Sequence, residues 1–237
     1  MGKVALVTGS AKGIGRAVLL ALARAGYDVV VHYRSSREAA EAVRREAEGY
    51  GVRAVALAAD ITRPEAARGL VEESVRALGG LHVLVNNVGN YLYKPIEATT
   101  VEEWHEMLDS NLNATFYVTQ AALPHLIGAG WGRIVNIGYA GAHNLLGRTH
   151  ITPYVIAKTG VILYTKALAK RLAGRGVTAN VVAPGVAENS VTQPVEEIPM
   201  GRVAALDEVA RAVLFFVDEA SGYLTGQVLE VAGGWNL

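Results

Sequence analysis

Tyr154-Val155-Ile156-Ala157-Lys158 is the segment best equipped for chemistry. Residues four apart share a helical face, so a Lys158 ammonium can lie near the Tyr154 hydroxyl. A neighbouring cation stabilises phenolate and lowers a phenol from its ordinary pKa of about 10. Tyr154 could then give a proton to a developing alkoxide, or take one from an alcohol. Taken alone, the pair also describes an ordinary exposed helix face.

A second segment suits a nucleotide. Thr8-Gly9-Ser10-Ala11-Lys12-Gly13-Ile14-Gly15-Arg16 directly follows the apolar run Val4–Val7 and opens a helical pattern. Glycines at 9, 13 and 15 permit a tight turn and let backbone amides approach a pyrophosphate at a positive helix end. The next apolar run ends in His32-Tyr33-Arg34-Ser35, where an NAD site usually carries a carboxylate. Arg34 and Ser35 suit a 2′-phosphate instead, which makes NADP(H) the preferred cofactor over NAD(H). The alternative for Arg34 is a solvated side chain at a helix start. Asp60 and Ile61 follow the third run, and Asp60 either flanks an adenine or caps the next segment.

The elements that must hold these groups alternate along the chain. Short β-branched runs at 4–7, 29–31, 52–58, 83–85, 134–137, 177–183 and 228–231 are separated by helical patterns, among them 37–50 and 64–78. Fully apolar strands alternating with helices imply a parallel sheet covered on both faces. The expected architecture is therefore α/β: one Rossmann-type, doubly wound domain over residues 1–237, with about seven strands. Its ligand sites belong at the carboxyl ends of the strands.

Taken in order, these motifs make the chain resemble a short-chain dehydrogenase/reductase over its whole length. The resemblance rests on Thr8–Gly15, Asn86-Asn87-Val88-Gly89, Asn111, Tyr154–Lys158, Pro184-Gly185, and Tyr223-Leu224-Thr225-Gly226-Gln227 with Gly233-Gly234. Within the family the chain is most similar to 3-oxoacyl-acyl-carrier-protein reductases, and residues 32–35 also resemble pteridine reductases. The resemblance implies a reductase moving hydride between NADPH and a small carbonyl or alcohol compound. Tyr154 is then the acid/base, and Lys158 binds the nicotinamide ribose. Asn111 holds through its backbone carbonyl a water linked to Lys158; without the family it reads as a packed polar residue. Asn87 and Gly89 line the cofactor, while Pro184, Gly185 and Ala187 lie by the carboxamide. The family also pairs its subunits, so a homodimer or homotetramer is expected, built from the uncharged 110–132 run and the helix after Tyr154.

Two departures matter. The family's catalytic Ser lies just past the fifth strand, and here Tyr139 occupies that place in Asn136-Ile137-Gly138-Tyr139. A phenol is also an O–H donor but a bulkier one. Tyr139 either replaces the hydroxyl or fills space, and His143, Asn144, Thr149 or Thr152 could supply the donor instead. The segment after Gly185 is a short lid, about 186–200. It carries Glu188, Glu196 and Glu197, which suit a phosphopantetheine-linked acyl chain poorly, and Asn189 or Ser190 could meet the carboxamide.

Composition excludes other classes. Lys+Arg and Asp+Glu each total 22, a balance unlike that of a general nucleic-acid binder. The absence of Cys removes disulfides, thiolate nucleophiles and Cys-ligated metals, and the scattered His residues give no metal spacing. With neither a signal-peptide pattern nor a membrane-span pattern, a cytoplasmic protein without metal is expected. Two readings compete with the reductase: a cofactor-binding relative with impaired catalysis, and a sugar or polyol dehydrogenase that prefers NADH.

Overall fold

Val4–Val7 consists of four buried aliphatic residues and forms the central strand β1 of a computed structural model that describes residues 2–236. The other strands are β2 (Asp28–Tyr33), β3 (Ala54–Ala58), β4 (Val83–Asn86), β5 (Gly132–Ile137), β6 (Val177–Pro184) and β7 (Val228–Val231). They form one seven-stranded sheet in the order β3-β2-β1-β4-β5-β6-β7, and every pair is parallel. Parallel neighbours need crossovers. These are supplied by α1 (Gly13–Arg24), α2 (Arg37–Glu48), α3 (Pro64–Leu78), α4 (Val101–Leu108), α5 (Ala114–Gly128), α6 (Thr152–Leu172) and α7 (Leu206–Val217).

Strand side chains alternate between faces, and β1 shows the consequence. Ala5 and Val7 pack into a core shared with α1, α2 and α7, whereas Val4 and Leu6 pack with α3, α5 and the end of α6. The chain runs outward one way through β2 and β3, then resumes on the other side of β1 at β4. That reversal leaves a crevice beyond the carboxyl ends of β1 and β4, where the loops cannot cover it.

Local differences from the sequence reading have local causes. The uncharged 110–132 run is not one helix. Residues Asp109–Asn113 form a π turn that continues α4, α5 ends at Gly128, and Gly130 takes a left-handed φ of 68° before Gly132 starts β5. The helix expected over 37–50 stops at Glu48, and β3 begins at Ala54 rather than Val52. Among the described residues, no helix is long and apolar enough to cross a membrane.

Candidate active site

A cavity of about 810 Å³ opens at the crevice. The glycine bend forms one end of it and Tyr154 with Lys158 the other. Between them lie the loop after β4, the end of β5, and the segment from Pro184 to Thr192.

The bend is built by side chains from the neighbouring strands. Thr8 Oγ1 accepts the backbone N–H groups of Asn87 (2.9 Å) and Val88 (3.1 Å), and Asn87 Nδ2 donates back to the Thr8 carbonyl at 3.0 Å. Gly9 has a left-handed φ of 64°, and a Cβ there would sit 2.9 Å from Val88 Cγ2. A Cβ on Gly15 would collide with the Gly9 carbonyl and come within 2.6 Å of Asn87 Nδ2. The first turn of α1 has no acidic residue, and Lys12 at its start makes no side-chain capping bond. Its amides therefore remain available to an anion in the cavity. Gly13, Ile14 and Lys12 line that end, which fits a pyrophosphate.

Ser10 is a correction. It is fully buried, its Oγ donates to the Val7 carbonyl (2.8 Å) and accepts from His32 N–H (3.1 Å), and so it braces the bend from behind. The pairing continues through His32, which the sequence reading passed over. His32 Nδ1 accepts from Gly9 N–H at 2.9 Å, and Nε2 lies 3.0 Å from the Ala59 carbonyl. That carbonyl can only accept, so Nε2 carries the proton and the ring is neutral. Burial pushes its pKa below the usual value. A histidine directly after the three valines of β2 was the signal for this brace.

Beyond β2, Tyr33 is half-buried while Arg34 and Ser35 are exposed, outside the cavity proper but at the carboxyl edge of the sheet. Asp60 Oδ1 accepts from both the N–H and the hydroxyl of Thr62, and its carboxyl is held below the usual range by Thr62, with Arg34 and Arg63 adding to the effect. Ile61 is buried in the core, and Asp60 closes the turn at Thr62 without capping α3, which starts after Arg63 with no side-chain cap.

Tyr154 lies in the first turn of α6 and Lys158 one turn later, both facing the cavity. Lys158 Nζ donates to the Ile137 carbonyl at 2.9 Å, and burial lowers its pKa to about 8. The Tyr154 phenol moves opposite to expectation. Burial, reinforced by the phenols of Tyr139 and Tyr91, raises its pKa above the ordinary value. The Lys158 ammonium, 5.7 Å from the Tyr154 ring centre and tied to Ile137, does not offset that desolvation.

Asn111 sits in the π turn, fully buried. Its backbone carbonyl accepts from Thr115 Oγ1 at 3.0 Å, and its Nδ2 donates to the carbonyls of Asn90 (2.9 Å) and Met107 (3.0 Å). Its Oδ1 has no partner among the described residues. A Cβ on Gly89 would strike that oxygen and stand 3.3 Å from Lys158 Nζ, so glycine there keeps Asn111 and Lys158 close together.

Tyr139 is buried beside Tyr154, with ring centres 5.5 Å apart and planes at 75°. Burial raises its pKa, and its hydroxyl interacts with the Asn236 side chain. The substitute donors are engaged elsewhere: His143 Nδ1 lies 3.1 Å from Glu230, Asn144 donates to the Asn236 carbonyl at 2.9 Å, and Thr152 donates to the Arg148 carbonyl. Thr149 Oγ1 lies 3.0 Å from His150 Nδ1, and none of the four lines the cavity. On the lid, Ala187 is buried and its N–H donates to Ser190 Oγ at 2.9 Å. Asn189 reaches across to Gly13, where a Cβ would lie 2.7 Å from its Nδ2. Among the described residues, no group of three or more His, Asp or Glu could hold a metal ion.

The chain is similar to known proteins over nearly its whole length. A family model described as enoyl-(acyl carrier protein) reductase matches residues 9–236. The chain is 39% identical over 242 residues to the 3-oxoacyl-[acyl-carrier-protein] reductase FabG of Aquifex aeolicus, covering 98% of this chain and 97% of that one. A dehydrogenase/reductase from Sinorhizobium meliloti superposes with a TM-score of 0.94 at 36% identity, covering 100% of this chain and 96% of that one. A blue fluorescent protein from a metagenomic library, solved in complex with NADPH, superposes with a TM-score of 0.93 at 34% identity, covering 100% and 98% of the two chains.

Proposed function

The chain belongs to the short-chain dehydrogenase/reductase family, and on that footing we propose that it is an NADPH-dependent reductase of a small carbonyl compound, of the 3-oxoacyl reductase type. The observation that carries this reading is one cavity with an uncapped helix N-terminus at one end and Tyr154 with Lys158 at the other. When bound, the nicotinamide supplies the hydride. The chain's residues do the rest. The α1 amides, Gly13 and Lys12 hold the pyrophosphate, and Arg34 with Ser35 hold the 2′-phosphate. Lys158 binds the ribose hydroxyls. Tyr154 keeps its proton at neutral pH, because burial raises its pKa, and delivers it to the oxygen of the developing alkoxide. Loss of the usual Ser leaves that oxygen one donor fewer unless the Tyr139 hydroxyl serves, a loss typically worth about two to three orders of magnitude in rate rather than all activity.

Pairing into a homodimer or homotetramer belongs to the same reading. Phe116 on α5 and Leu163 on α6 are exposed, while Val118, Val161 and Ile162 on the same helices are consumed by internal packing.

Fluorescence titration with NADPH and NADH, followed by a carbonyl screen, tests the proposal. NADPH should bind about tenfold more tightly or better, and a diketone or acetoacetyl thioester should oxidise it. Tight binding with no oxidation by any carbonyl compound would support a cofactor-binding protein instead. Tighter NADH binding would support the sugar or polyol dehydrogenase.

A further inference from the structure

Four aromatic rings form a continuous wall at the catalytic end. Tyr91 meets Tyr154 edge-on at 5.2 Å and 80°, Tyr139 meets Tyr154 at 5.5 Å and 75°, and Tyr139 meets Trp235 at 5.9 Å and 85°. All four line the one cavity, joined by the aliphatic Val186 and Val191 of the lid. Tyr91 and Trp235 come from distant parts of the sequence. Tyr91 and Tyr139 flank the proton donor and Trp235 backs Tyr139, which fills the space where a small hydroxyl side chain would leave room.

Charge points the same way. No Asp, Glu or Arg lines the cavity. Of its two lysines, Lys12 sits on the glycine bend, and Lys158, which donates to the Ile137 carbonyl, is the one assigned above to the ribose. The mouth is acidic. A recess of about 290 Å³ that shares Tyr91 carries Glu106 and Glu103, the latter paired with Lys94 at 2.8 Å, and Glu197 accepts from Trp235 Nε1 at 3.1 Å. Exposed Glu188 and Glu196 add negative charge on the lid. An anionic substrate, or an acyl chain delivered by an acidic carrier, would meet these carboxylates at the rim, and the two lysines inside are the ones assigned to the cofactor.

We propose that the natural substrate class is an uncharged, planar aryl or conjugated ketone, packed against Tyr91, Tyr139 and Trp235 with its oxygen at Tyr154. Aromatic rings favour such a partner because offset and edge-on contacts add to the gain from burying apolar area. The proposal rests on the reductase reading above. In the step, the carbonyl carbon gains the hydride from NADPH and its oxygen gains the Tyr154 proton. The products are a secondary alcohol and NADP⁺, and the phenolate recovers a proton from solvent.

The test compares kcat/KM for 1-phenyl-1,2-propanedione, its cyclohexyl counterpart and the N-acetylcysteamine thioester of acetoacetate, all uncharged, with acetoacetyl-coenzyme A as the anionic probe. The phenyl compound should exceed the cyclohexyl one by about tenfold, and the coenzyme A ester should be the poorest of the four. Tyr91→Leu and Trp235→Leu should each shrink the phenyl-to-cyclohexyl ratio about 2- to 10-fold. NADPH titration of each variant reports whether its fold survives, and half-exposed Tyr91 serves should Trp235→Leu fail to fold. Equal or faster turnover of the cyclohexyl compound or of either thioester would overturn the aryl assignment while leaving the reductase standing. An aryl preference unchanged in the folded variants would overturn the role of the rings. NADPH left unoxidised by every compound would bring down the reductase reading, and this one with it.

Discussion

Gly9 donates its backbone N–H to His32 Nδ1, 2.9 Å away across the β1–β2 boundary. The bond ties the first glycine of the bend to a neutral imidazole whose other nitrogen is fixed on Ala59. Protonating Nδ1 would replace an acceptor with a donor and set two donors against each other.

A pH dependence results. Burial lowers the His32 pKa in the folded protein, so the unfolded chain takes up its proton first as pH falls. The contribution is whole above the ordinary histidine value of about 6.5 and is lost as pH falls below it toward the lower folded value. NADPH affinity should weaken only as pH falls to that lower folded value, where the folded protein itself takes up the proton. Thermal unfolding and NADPH titrations at pH 7.5 and 5.5 measure both, and His32→Gln should flatten the dependence. His32→Phe leaves the Gly9 N–H unpaired and should cost about 1–3 kcal/mol. A pH response identical in wild type and His32→Gln would refute the brace.

Tyr154→Phe removes the hydroxyl proposed as proton donor and little else, since the ring packing against Tyr91 and Tyr139 is retained. Turnover should fall about 10²- to 10⁴-fold, with NADPH dissociation constants changed less than threefold. Stopped-flow reduction and equilibrium titration separate the two effects. Undiminished turnover would remove Tyr154 from the chemistry.

Lys158 should govern the alkaline limb. With its pKa lowered to about 8, the ammonium loses its charge as pH rises through that value. The Tyr154 phenol stays protonated well beyond it, because its own pKa is raised. The kcat/KM profile should therefore decline with an apparent pKa near 8. In Lys158→Met that limb should be absent, along with most of the activity. A limb that persists in this variant belongs to another group.

Gly89→Ala places a methyl group against Asn111 Oδ1 and within 3.3 Å of Lys158 Nζ. Overpacking of this kind typically costs about 1–3 kcal/mol. Chemical denaturation should show that loss, and kcat should fall further than stability because Lys158 is displaced. Normal stability and activity would mean that the two side chains yield freely.

Arg34→Ala tests cofactor choice. A charge-assisted bond to a 2′-phosphate is worth about 1.5–3 kcal/mol, so NADPH should bind about 10- to 100-fold more weakly with NADH unaffected. Equal weakening of both cofactors would assign Arg34 a structural role.

Sequence periodicity was enough for the layered fold. Aliphatic runs such as Val29-Val30-Val31 alternate with helical patterns, and burial of both sheet faces leaves few other arrangements. The Tyr154–Lys158 spacing likewise fixed that both side chains share one face of α6, because helical geometry is local. Pro64 at the start of α3 was legible for the same reason.

Only the folded chain decided where Tyr139 sits, how Tyr91 reaches Tyr154 and Trp235 reaches Tyr139, and that Ser10 turns inward while His32 holds Gly9. It also reversed the expected direction of the Tyr154 pKa shift, since desolvation depends on everything packed around a group and not on the residue one turn away. Contacts between strands and loops far apart in the chain leave no periodic trace in the residues between them, and burial is a sum over those contacts. Spacing along the chain could name the chemical groups; their surroundings, and hence their acidity and orientation, came from tertiary packing alone.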